Sequence, residues 1–282
     1  MNPLITPQAL QSRLGSSNLV LLDSTALLPG DNFDIEARFR EAHLPGARRF
    51  DIEAFSDPEG ALPHMVPSQG RFARLIGALG VGNDTHIVFY DQSSLVSAAR
   101  AWWLLGLFGH ESMQVLDGGL AAWREAGLPT ESGDPAPATP VPFMPRLQAG
   151  RLVGLGDMIA IAAGERQAVV IDARSRGRFD GIAPEPRAGL PSGHIPGSNS
   201  LPFTELLDAG KRMLPPDALR ARFAACGIDG SLPVVTSCGS GLTASVLSLG
   251  LSVAGFAPGA MFDGSWTEWA SHPELPRAGQ GA

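Results

Sequence analysis

The stretch VVTSCGSGLTASVLSLG, Val234 to Gly250, holds the residues best placed for covalent chemistry. A short β-branched run ends at Cys238, a Gly-Ser-Gly turn follows, and an apolar helix comes next. A strand-to-helix junction turns several backbone N–H groups toward one point, and the helix dipole adds positive potential there. A cysteine at that point is favoured as thiolate, the nucleophilic form. Gly239 and Gly241 let the backbone fold back around the sulfur, and Ser240 and Thr243 add hydroxyl donors. Together they describe an anion site centred on a nucleophile. The competing interpretation is an inert buried thiol beside an ordinary turn, a common fate of free cysteines. Cys226, in FAACGIDG, fits that plainer description, at a helix end with Gly227 as its cap.

Other chemistries fail on the same loop. A cysteine phosphatase needs an Arg six residues after its Cys to grip phosphate, and Ala244 stands there. A nucleotide-binding P-loop needs Lys before its Ser or Thr, and Gly241-Leu242-Thr243 has none. No CxxC, HExxH or His cluster indicates a metal site, and no cofactor is expected.

The elements that must carry this loop come from an internal repeat. Asp23 and Asp172 each end a short apolar run, and His43 in HLPGA answers His194 in HIPGS. Asp91 answers Cys238, and Asp117 in DGGLAAW answers Asp263 in DGSWTEW. The four separations are 149, 151, 147 and 146 residues, so the chain reads as two copies of one domain. We expect a first domain at 1–130 with Asp91 in place of the cysteine. A Pro-rich extended linker follows at 131–147, then a catalytic domain at 148–282.

Strand-like runs at Leu19–Leu22, Ile87–Tyr90, Val169–Ile171 and Val234–Thr236 alternate with helix-like segments. These are Asp34–Glu41, Gln69–Leu79, Ser94–Phe108 and Asp217–Ala225. That alternation predicts an α/β fold, a mostly parallel sheet with helices on both faces in each copy. Ligands then bind beyond the carboxyl ends of the strands, where Cys238 falls.

The 282 residues are 44% hydrophobic and 17% charged, enough for real cores, and the net charge of −7 argues against nucleic-acid binding. The N-terminus lacks signal-peptide order, and AARAWWLLGLFG is too short for a membrane span. With two cysteines and no disulfide framework, the expected location is the cytoplasm.

The motifs CGSGLTA, HLPGA, HIPGS, RGRFDGIAPEPRAG and DGSWTEW resemble the tandem-domain rhodanese and 3-mercaptopyruvate sulfurtransferase family over essentially the whole chain. Within that family, thiosulfate enzymes are similar to Cys-Arg-Lys-Gly-Val-Thr and mercaptopyruvate enzymes to Cys-Gly-Ser-Gly-Val-Thr. This loop matches the second, with Leu242 for Val. The resemblance implies a small-molecule sulfur donor, 3-mercaptopyruvate, and a thiophilic acceptor, with thioredoxin-like proteins among the candidates. A thiosulfate:cyanide sulfurtransferase and a persulfide-carrying module without turnover are the alternatives.

A loop without cations needs carboxylate binders elsewhere, and Arg forks suit a keto acid. The resemblance carries substrate binding onto Arg178 and Arg187, and leaves Arg174 and Arg176 as structural or surface residues. It also implies an acid–His–Ser relay through Glu53, His64 and Ser240, with Glu53 where the family usually has Asp. His43, His194, Asp23, Asp172, Trp123 and Trp269 occur in both copies and are expected to be architectural. Trp266 is placed at the pocket mouth.

Overall fold

A computed structural model describes residues 2–93, 95–134 and 137–280. The first half of the chain runs β1 (Leu4–Ile5), α1 (Pro7–Gln11), β2 (Leu19–Asp23), α2 (Ile35–Glu41), β3 (Arg48–Arg49), α3 (Gln69–Ala78), β4 (His86–Tyr90), α4 (Val96–Leu107), β5 (Met113–Leu116) and α5 (Gly119–Glu125). The second runs β6 (Leu152–Val153), α6 (Leu155–Ala162), β7 (Val169–Asp172), α7 (Arg176–Phe179), β8 (Asn199–Ser200), α8 (Pro216–Ala225), β9 (Val234–Ser237), α9 (Ala244–Ala254), β10 (Ala260–Phe262) and α10 (Ser265–Ala270). Each expected strand and helix is present to within one or two residues; Ser94, the expected start of α4, lies outside the described residues.

The strand orders are β1-β5-β4-β2-β3 and β6-β10-β9-β7-β8, all pairs parallel, so the repeat visible in sequence is a repeat in topology. The central strands β4 and β9 are continuous β-branched and apolar runs because both faces are covered. Every residue of α4 is buried, and so is nearly all of α9, as expected of helices apolar all round. Elsewhere local chemistry sets the helix ends. The side chains of Asp34 and Ser68 accept the Ala37 and Arg71 N–H groups, and Gly255 ends α9 in the left-handed region at φ 92°.

The shared residues are architectural. His43 stacks on Phe39 at 4.2 Å and its Nδ1 lies 2.8 Å from the Phe39 carbonyl; His194 repeats this on Phe179 at 3.8 Å and 2.8 Å. Trp123 and Trp269 donate their indole N–H groups to Pro129 and Pro276. The described part of 131–147 contains no helix, and Phe143 within it is buried.

The chain forms two compact units. One comprises residues 1–58, 66–148 and 209–212; the other comprises 59–65, 149–208 and 213–282. A short segment of each sequence half thus folds into the unit built mainly by the other half. His64 lies in one such segment and Lys211 in the other, 147 residues on, matching the repeat offset. Both adopt left-handed backbone, at φ 60° and 59°, which non-glycine residues seldom do.

Candidate active site

Cys238 follows β9 directly, is 1% exposed, and precedes α9 by a five-residue turn. The Gly241 N–H donates to its sulfur at 3.1 Å. Gly241 sits at φ 83°, the conformation that turns this N–H inward and that a side chain would strain. Ser240 is buried, and its Oγ lies 3.2 Å from Nδ1 of His64, within the same unit. Leu242 is buried beneath the turn, and Thr243 leads into α9 without capping it through its side chain.

The two expected substrate arginines come to this loop by different routes. Arg178, on α7, holds Glu185 through Nε at 3.2 Å and Nη2 at 2.5 Å. The same Nη2 would stand 2.9 Å from any Cβ added at Gly239, so this glycine is needed for the close approach of Arg178 to the loop. Arg187 reaches Thr267 Oγ1 at 3.5 Å, and that hydroxyl donates to the Gly239 carbonyl at 2.6 Å. Glu53 falls in the other compact unit, on an exposed turn after Asp51.

Three groups were not anticipated. Glu185 is a buried carboxylate shared by Arg174 and Arg178. Thr267 links Arg187 to the loop. Ser265 accepts the Cys238 N–H at 3.2 Å, donates to the Phe262 carbonyl at 2.8 Å, and lies 3.9 Å from the Cys238 sulfur. It does so at φ 52°, a strained position for a residue with a Cβ, and its counterpart Gly119 has φ 57°. The replacement of DGG by DGS between the two copies was the signal for Ser265. Glu185 carried none, because a Glu amid prolines looks solvated.

Arg174 is not a surface residue. It is buried, with its guanidinium 4.7 Å from the Trp266 ring centroid, and it pairs with Asp172 at 2.7 Å and Glu185 at 2.8 Å. Burial opposes its charge, but the two carboxylates outweigh that and raise its pKa. Trp266 lies fully buried under that guanidinium and donates to the Pro191 carbonyl, so it does not line a pocket mouth. Cys226 is part-buried, and desolvation raises its thiol pKa, which disfavours the reactive thiolate.

The corresponding loop of the first copy shows what the cradle binds. Asp91 accepts N–H bonds from Ser93 at 3.1 Å and Leu95 at 3.0 Å through Oδ1, and from Ala98 at 3.1 Å through Oδ2. Where one copy holds a thiol, the other holds a built-in carboxylate on converging amides.

A family model described as the rhodanese-like domain matches residues 6–126 and again 159–272. This chain belongs to the rhodanese family. The 3-mercaptopyruvate sulfurtransferase of Rattus norvegicus is 41% identical over 93% of this chain and 88% of its own length. The mitochondrial thiosulfate/3-mercaptopyruvate sulfurtransferase 1 of Arabidopsis thaliana is 37% identical over 97% of this chain and 77% of its own. Among solved structures, SseA from Escherichia coli, described as a 3-mercaptopyruvate sulfotransferase, superimposes with a TM-score of 0.83. It is 34% identical, covering 94% of this chain and 99% of that one. No helix among the described residues is long and apolar enough to cross a membrane.

Proposed function

We propose that this rhodanese is a sulfurtransferase that moves the sulfur of 3-mercaptopyruvate to a thiophilic acceptor through a persulfide on Cys238. The observation that carries this is the Cys238 sulfur held by the Gly241 N–H, in a loop whose twin binds a carboxylate. Such a site stabilises negative charge on sulfur before and after transfer.

In the first displacement the Cys238 thiolate attacks the substrate sulfur. An S–S bond forms, the substrate C–S bond breaks, and its electron pair passes to the keto-acid carbon, which takes up a proton to give pyruvate. Ser240 and His64, hydrogen-bonded to one another, deliver that proton, with Glu53 proposed as the acidic member of the relay. Arg178 and Arg187 hold the carboxylate and carbonyl. The main chain of Gly239, Gly241 and Leu242, with the Thr243 hydroxyl, surrounds the outer sulfur.

In the second displacement, cyanide or a thiolate attacks the outer sulfur and Cys238 leaves as thiolate. The two steps balance in electrons, so the reaction calls for no cofactor. The catalytic cysteine is assigned to residues 148–282, with His64 and Glu53 lent from residues 1–130, the domain without a catalytic cysteine, and 131–147 the linker. A reducing compartment, the cytoplasm in this proposal, keeps Cys238 as a thiol, and a thioredoxin-like dithiol is the proposed acceptor.

The test is steady-state kinetics with both donors. Ping-pong behaviour and a higher kcat/KM for 3-mercaptopyruvate than for thiosulfate are expected. Clear preference for thiosulfate would overturn the donor assignment. Discharge of the persulfide by a small thiol but not by a reduced thioredoxin would remove the proposed protein acceptor.

A further inference from the structure

The two copies differ most between the Phe that carries the ring stack and its His. Phe39 and His43 are four residues apart, whereas Phe179 and His194 are fifteen apart. The longer connection carries both Glu185 and Arg187. The residue before each Phe is an arginine. In the silent copy this is Arg38, which lies exposed over the Phe33 ring, 3.6 Å from its centroid. In the active copy it is Arg178, held by Glu185 against Gly239.

Asp172 and Arg174 offset one another, as do Glu185 and Arg178. Arg187 remains, and the described residues give it a hydroxyl partner and no carboxylate. These five side chains therefore offer the guanidinium groups of Arg178 and Arg187 beside the loop, with close to one unit of net positive charge among the five. That suits a keto acid with a single carboxylate, which uses forks for orientation and needs one charge for balance. A dianion such as thiosulfate would be under-compensated.

We infer that Glu185 is a positioning residue that sets donor selectivity: it fixes Arg178 on the loop while cancelling its charge, tuning the site for a monoanionic donor over a dianionic one. This rests on the sulfur-transfer reading above and deepens it. Glu185 touches no reacting atom and acts through Arg178.

The experiment measures kcat/KM for 3-mercaptopyruvate and for thiosulfate in wild type, Glu185→Gln, Glu185→Asp and Arg178→Gln, with thermal unfolding as a check on folding. One added unit of charge beside the donor should favour the dianion, so Glu185→Gln is expected to raise the thiosulfate-to-mercaptopyruvate ratio about tenfold. Glu185→Asp keeps the charge but shortens the clamp, so KM should rise for both donors with the ratio unchanged. Arg178→Gln removes a positive charge and should move the ratio the opposite way. It also keeps the test alive if Glu185→Gln does not fold. Equal losses for both donors in Glu185→Gln and Arg178→Gln, a structural effect only, would overturn the inference. If wild type transfers sulfur from neither donor, it is the function that fails, and the two outcomes are distinguishable.

Discussion

The loop at Cys238 and the loop at Asp91 sit at the same place in the same topology, yet one holds a thiol and the other a carboxylate. Each follows the central strand of a five-stranded parallel sheet and leads into a buried helix. Each is met by a residue in left-handed backbone donated from the other half of the sequence. His64 Nδ1 lies 3.2 Å from Ser240 Oγ, and the Lys211 ammonium donates to the Ser93 carbonyl at 2.8 Å. Ser93 and Ser240 hold equivalent positions, two residues after Asp91 and Cys238.

The scaffold thus supplies an anion cradle and a lent side chain twice. One copy fills the cradle with the Asp91 carboxylate and lends the Lys211 side chain. The other fills it with a polarisable nucleophile and lends an imidazole, whose ring nitrogens can donate and accept a proton. The first arrangement hydrogen-bonds the loop in place, whereas a thiol and an imidazole can exchange protons and bonds. The active copy also accepts backbone strain at Ser265, where the silent copy uses Gly119.

The sharpest way to break this comparison is to make the active loop resemble the silent one. Cys238→Asp should lose sulfur transfer by roughly four orders of magnitude, since covalent catalysis has no substitute nucleophile here. It should still fold, because the cradle accepts a carboxylate in the other copy. Turnover with thermal unfolding checks this, and measurable persulfide transfer in the variant would contradict it.

A second test separates the two lent residues. His64→Ala should lower kcat about a hundredfold, while Lys211→Ala leaves kcat unchanged. Equal effects would mean that both contacts are merely architectural. A smaller effect belongs to Gly239, whose counterpart in the silent loop is Gln92. In Gly239→Ala the new Cβ must displace Arg178, so KM for the keto acid should rise several-fold with kcat less affected. An unchanged KM would remove Arg178 from substrate binding.

Much of this was legible in the sequence for a physical reason. Hydrophobic runs bounded by turn residues gave the strands and helices, and the repeat assigned the histidines of HLPGA and HIPGS and the repeated Trp123 and Trp269 to architecture. Cys238, Ser240 and the two glycines followed from their place at a strand end. The resemblance, not the local pattern, supplied the meeting of His64 with Ser240, because it depends on a chain crossing that local patterns do not encode. Glu185 escaped notice, and Arg174 was left between a structural and a surface role, because burial of a charged residue depends on partners distant from the local pattern, here a network from Asp172 to Arg178. Ser265 was hidden in a motif that looked fully explained by its Trp.

The central claim is that Cys238 carries the sulfur in transit, and mass spectrometry of the intact protein after treatment with 3-mercaptopyruvate tests it most directly. The account predicts a gain of one sulfur, mapping to the Cys238 peptide and discharged by an added thiol, with none in Cys238→Ala. No gain in wild type, or a gain mapping to Cys226, would contradict it.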